Sequence, residues 1–148
     1  MIDVKYTTVF FAVLVAGCAT TPQGPTLGEF LDQGAVRQSQ PQVRALLSSR
    51  TLDTLSPTGQ AKVSLKFDPT GTFTGTVRAV TTGAVSRSSG SWSVEPDGRW
   101  CMDETLHDWN MKNKYCHYVF LLPQRIVGSE SPTDRAAKAF VRDITDLK

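Results

Sequence analysis

The chain has 148 residues, with 16 Lys and Arg against 14 Asp and Glu, and a formal net charge of +2 at pH 7. So near-neutral a balance argues neither for nucleic acid nor for an acidic substrate, and no nucleic-acid partner is expected. The length is one domain's worth, and with 40% hydrophobic residues it suffices to bury a core without metal or extra staples.

Taken in order, the chain begins with Lys5, a thin positive charge partly cancelled by Asp3, and then Tyr6–Ala16, an apolar stretch of 11 residues. A helix that crosses a bilayer needs about 20 residues, so this shorter run reads as the hydrophobic region of a secretory signal. It ends in Leu14-Val15-Ala16-Gly17-Cys18, and polar Ala19-Thr20-Thr21-Pro22 follows at once. That pentad resembles the bacterial lipobox, in which small residues admit a peptidase and the cysteine thiol takes the lipid. The resemblance implies that residues 1–17 are a cleaved signal peptide. It also implies that Cys18 becomes a diacylglyceryl, N-acylated (palmitate-type) N-terminus and that the partner at this end is a membrane. Three acyl chains exceed the two signals that stable anchoring requires. Ala19 is not the aspartate that marks inner-membrane retention, so the expected location is the outer membrane, facing the periplasm. Losing residues 1–17 removes one lysine and one aspartate, which leaves the charge at +2.

Residues 18–40 read as a lipidated flexible tether, rich in Thr, Pro and Gly. Leu27, Phe30 and Leu31 interrupt it, spaced either for one helical turn that docks on the domain or for a disordered segment. A β domain is expected over 41–148. Ser39-Gln40-Pro41 opens a short helix with Val43, Leu46 and Leu47 on one face, of the kind that covers an open end of a sheet. Thr51–Leu55 is a possible first extended segment.

From Ala61 the pattern changes to period two. Ala61, Val63, Leu65 and Phe67 alternate with Lys62, Ser64, Lys66 and Asp68, as a half-buried strand requires. Phe73, Gly75 and Val77 continue it after a turn at Asp68–Gly71, and another turn is expected near Thr82-Gly83. Gly90–Val94 and Arg99–Met102 form the next pair. Phe67-Asp-Pro-Thr-Gly-Thr-Phe73 and Val94-Glu-Pro-Asp-Gly-Arg-Trp100 match position by position. In each, proline presets φ, glycine accepts φ > 0, and an aromatic follows. This repeated hairpin device points to an antiparallel meander, mainly β with minor α, either barrel-like or a curved sheet.

Met102–Asn113 is polar and reads as an irregular loop. Lys114–Leu122 is a strong strand, Pro123-Gln124 turns it, and Arg125–Ser129 is a short strand. Ser131–Asp134 is a capping signature. Beyond it the pattern fits both helix and strand, and a brief helical turn followed by a strand over Lys138–Ile144 is the expectation. With Cys18 lipidated, Cys101 and Cys116 remain, and an oxidising compartment with an even count favours a disulfide. It would close a loop of about 15 residues, worth roughly 3 kcal/mol in loop-closure entropy.

From Gln42 onward the chain resembles a loosely defined group of small proteobacterial periplasmic β-domain proteins and lipoproteins. The resemblance rests on Leu46-Leu47, the Phe67–Gly75 hairpin, Gly90–Cys101 and Cys116–Val119. It implies a shared β fold and bridge, and supplies no activity.

Little in the chain carries chemistry. Adjacent Cys116 and His117 would point to opposite faces of a strand, which disfavours both zinc binding and a Cys–His nucleophile pair. The serines of Ser86–Ser91 lack a nucleophile elbow and read as a polar edge or loop. No catalytic residue, metal or cofactor is assigned, and the chain is not expected to be an enzyme. The candidate binding loop is His107, Asp108 and Trp109, held by the Cys101–Cys116 bridge, with Trp109 either folding back as a lid or projecting to a partner. The leading expectation is a non-enzymatic binding or envelope-interaction module, with another envelope protein, for instance a hydrolase, as its partner. The alternative is a lipocalin-like carrier of a small apolar ligand, which an apolar cavity open at one end would favour.

Overall fold

The computed structural model describes residues 24–123 and 125–143. Two short helices, α1 (Leu27–Asp32) and α2 (Gln40–Leu47), bracket a two-residue strand, β1 (Val36–Arg37). Eight strands follow: β2 (Thr51–Leu55), β3 (Ala61–Phe67), β4 (Thr72–Ala79), β5 (Val85–Val94), β6 (Arg99–Leu106), β7 (Met111–Leu122), β8 (Arg125–Ser129) and β9 (Ala139–Asp143). Each pairs antiparallel with the next in chain order. β2 and β9 approach each other at the seam, so the meander is a nearly closed barrel. Mainly β, barrel-like, with a short helix and one disulfide, the architecture is the one the sequence predicts.

The two similar turns fold alike. Gly71 N donates to Asp68 O and Asp68 N to Thr72 O; Gly98 N donates to Glu95 O and Glu95 N to Arg99 O. Both glycines take positive φ, 93° and 85°, the left-handed residue that rejoins the returning strand. The aromatics around these turns meet inside. The Phe67 ring lies 5.7 Å from Phe73, 5.8 Å from Trp92 and 5.5 Å from Trp100. α2 closes this end of the barrel with Val43 and Leu47, both fully buried in the same cluster. The Gln42 side chain accepts from the Ser39 backbone N–H and hydroxyl, both at 2.8 Å, to start the helix. Gln40 Nε2 donates to Val94 O at 2.8 Å, which ties α2 to the β5–β6 turn.

Three expectations are corrected. First, part of the presumed tether belongs to the domain. α1 is closed by a reciprocal Thr26–Glu29 capping box and buries Leu27 and Phe30 against Phe120, Leu122, Val127 and Ala139 on the outer face of β7–β9. β1 then pairs with β7. Apolar residues spaced i, i+3, i+4 had an apolar outer sheet face to cover, which no local pattern announces. Second, Met102–Asn113 is not an irregular loop. β6 and β7 run in register as far as Leu106↔Met111, which leaves a four-residue turn, His107–Asn110. Its polarity misleads because Asp103 and Lys114 face solvent while Glu104 and Asn113 face the barrel interior. Third, Ser86–Ser91 is neither edge nor loop. It lies in β5, paired with β4 throughout and with β6 from Ser88 onward, with Ser86 and Ser88 buried inside. At the far end, Arg135–Ala136 form a turn and β9 follows, the strand alternative. Ile144 lies outside the described residues, as do Gln124 and residues 1–23, which hold Cys18 and the stretch read as signal and lipidation site.

Candidate functional site

The two ends of the barrel differ because the side chains facing inward shrink along β3 and β4. The β3–β4 register makes this plain: Phe67 pairs with Phe73, Leu65 with Gly75, Val63 with Val77 and Ala61 with Ala79. The aromatic end, capped by α2, is packed. Towards the alanine end the inward side chains no longer meet, and a cavity of about 1190 Å³ remains. Around its mouth stand the four connections of that end, through Ser56–Thr58, Thr81, Trp109 and Glu130–Lys138. Large apolar side chains beside these connections, Leu55, Val80, Val85 and Met111, are exposed.

The cavity wall is apolar at Val63, Val77, Leu106 and Phe140, and polar at five inward positions of β6, β7 and β9. Glu104 is buried. Its Oε1 accepts from the Ser88 hydroxyl at 2.6 Å and its Oε2 from Asn113 Nδ2 at 3.3 Å. Tyr115 donates to Met102 Sδ at 3.3 Å, and burial, the largest influence, pushes its phenol up. The His117 ring sits edge-on to Phe140 with centroids 4.5 Å apart, and its Nδ1 has no hydrogen-bond partner. Burial, and after it the Arg142 charge, hold its imidazole down to about 4, so it is neutral at pH 7.

Arg142 is the unusual group. It is only 4% exposed, and its Cζ lies 5.1 Å from the ring centroids of both Trp100 and Phe140. No carboxylate pairs with it among the described residues, and its Nε, like Trp100 Nε1 beneath it, has no hydrogen-bond partner. Two ring faces offset part of the cost of burying a cation. They leave its Nε donor unpaired.

The predicted binding loop lies on the rim of this cavity. Asp108 accepts from Arg87 N at 2.8 Å, Nε at 3.2 Å and Nη2 at 3.1 Å, and these hydrogen bonds hold its carboxyl below the usual range. His107 Nε2 is 2.7 Å from the Ser89 hydroxyl. Both side chains are therefore pinned to β5, outside the cavity, while half-buried Trp109 borders its mouth. Asn110, with φ 51°, makes the tight return and is among the residues that tolerate this conformation. Cys101 and Cys116 are bonded at directly paired positions, Cα atoms 4.0 Å apart. Their inward-facing neighbours Trp100, Met102 and His117 place the bridge on the outer face. His117 and Cys116 thus point apart, and no group of His, Cys, Asp and Glu suited to a metal occurs among the described residues.

Sequence reasoning missed the interior polar set of Glu104, Tyr115 and Arg142. The available signal was an arginine in phase with Phe140 in an alternating segment. No known protein family, curated protein or solved structure matches the chain.

Proposed function

We propose that this protein is a carrier-type binding module, a small β barrel that takes an apolar or amphipathic small molecule into its open end. The observation behind this reading is the cavity of about 1190 Å³, somewhat above the roughly 300–1,000 Å³ of drug-sized sites, whose wall joins apolar side chains to convergent polar groups. The lipobox-like segment ending at Cys18 supports a lipid-anchored protein, with the outer membrane, periplasmic side, as its location. An apolar cavity held near a membrane suits a ligand that partitions into lipid.

The test is native mass spectrometry on protein purified from its own envelope. A small molecule should be retained by the wild type and lost from Val77→Trp, whose indole would fill the space facing Val63. Protein that carries nothing and binds no apolar probe overturns the reading.

A second reading, contact with another envelope protein through the rim, draws on exposed Leu55, Val80, Val85 and Met111 beside half-buried Trp109. A photoreactive residue at position 109 that captures one protein from membranes would favour it, and no capture would leave the cavity as the site.

A further inference from the structure

The cavity does not only offer apolar volume; it contains a buried cation with no carboxylate partner among the described residues and with one donor, Nε, unpaired. We infer that its ligand is a single-chain amphiphile with a carboxylate head, and that Arg142 binds this head inside the barrel. The inference rests on reading the cavity as a binding site, and it adds the chemical class of the ligand.

A guanidinium that is 4% exposed, with no carboxylate partner among the described residues and with an unpartnered Nε, is a costly arrangement for the empty protein. Its planar donors match a carboxylate in bidentate fashion. His117 Nδ1, also buried and unpartnered, and the Tyr115 hydroxyl border the same cavity and supply the further polar contacts a carboxylate oxygen can use. The buried Glu104 carboxylate, held by Ser88 and Asn113 in the same wall, repels each further negative charge on the head, which favours a singly charged carboxylate over a dianion such as phosphate. Above Arg142, Val63, Val77 and Leu106 face the space an alkyl chain would take.

The test uses the full-length chain carrying Cys18→Ser, so that no acyl chain of the protein's own competes. The neutral fluorophore N-phenyl-1-naphthylamine reports on the cavity, and dodecanoate, dodecanol and dodecyl phosphate compete with it. Dodecanoate should displace the fluorophore at a concentration about tenfold or more below that of dodecanol, the advantage expected of a charge-assisted pair, and below that of dodecyl phosphate. Arg142→Met should erase the preference, so that dodecanoate and dodecanol displace the fluorophore at similar concentrations. Equal displacement by dodecanoate and dodecanol, or a preference that survives Arg142→Met, overturns the role of Arg142 while the cavity reading stands. Dodecyl phosphate matching dodecanoate overturns the carboxylate assignment. No binding of fluorophore or competitor overturns both readings. Should Arg142→Met not fold, nuclear magnetic resonance titration of His117 in the Cys18→Ser chain decides. Its pKa should rise by about one pH unit or more with dodecanoate bound, since an anion beside it favours imidazolium, and an unmoved pKa overturns the placement.

Discussion

The Arg142 guanidinium lies over the Trp100 ring, 5.1 Å from its centroid, at the level where the packed end of the barrel gives way to the cavity. Below it, the aromatic cluster of Phe67, Phe73, Trp92 and Trp100 fills the space under the α2 cap. Above it, alanine and valine pairs leave the interior unfilled. One barrel thus combines a close-packed half, which supplies stability, with an open half free to bind.

His117 should make stability depend on pH in a window of its own. Its imidazole is held to about 4 in the folded chain by burial and by Arg142, against 6.5 unfolded, with Tyr115 and Glu104 the other ionisable groups on that wall. Between those values the unfolded state binds more protons, so stability falls as pH is lowered from about 6.5 and the loss is complete below about 4. Discounted for partial exposure, the loss is about 1–2 kcal/mol. Chemical denaturation at several pH values should show this slope in the wild type, and His117→Gln should flatten it. An unchanged slope in the variant would place the effect elsewhere.

The disulfide should stabilise the fold without shaping the cavity. Cys101 and Cys116 are 15 residues apart and already paired by the β6–β7 ladder. Replacing both with serine should cost about 2–4 kcal/mol, read as a lower melting temperature. Fluorophore binding in the cavity should persist below the transition, because the bridge sits on the outer face.

Gly75 should not tolerate a side chain. A Cβ there would run into the Ser64 carbonyl of the paired strand and come within 2.9 Å of Leu65 Cα, and backbone cannot yield as a flexible side chain can. Gly75→Ala is expected to destabilise by about 1–3 kcal/mol, measurable by thermal unfolding. The same substitution at Gly34, which has open space around it but a positive φ of 90°, should cost less, about 1 kcal/mol.

Cys18→Ser should abolish lipidation, so that palmitate labelling is lost and the protein leaves the membrane fraction. Continued partitioning with membranes would remove the lipobox reading and the outer-membrane location together.

Much of the fold was legible in the sequence because it depends on local rules. Two matching Pro-Gly turns, strict alternation in Ala61–Phe67, the Ser39–Pro41 helix start and a pair of cysteines are each set by neighbours a few residues away. What escaped depended on partners distant in the chain. Leu27 and Phe30 became a docked helix only because β7–β9 present an apolar outer face. Ser88, Glu104 and Asn113 read as loop chemistry until barrel closure turned them towards one another. His107, Asp108 and Trp109 were rightly seen as neighbours, but the β5 register alone decided that the first two are pinned outside and only Trp109 borders the mouth. By itself, then, the sequence determined strands, turns and bridge, since these follow from side-chain periodicity and backbone preference. The cavity and its buried Arg142 were decided by tertiary structure alone, because an interior volume depends on the sizes of side chains brought face to face from eight strands.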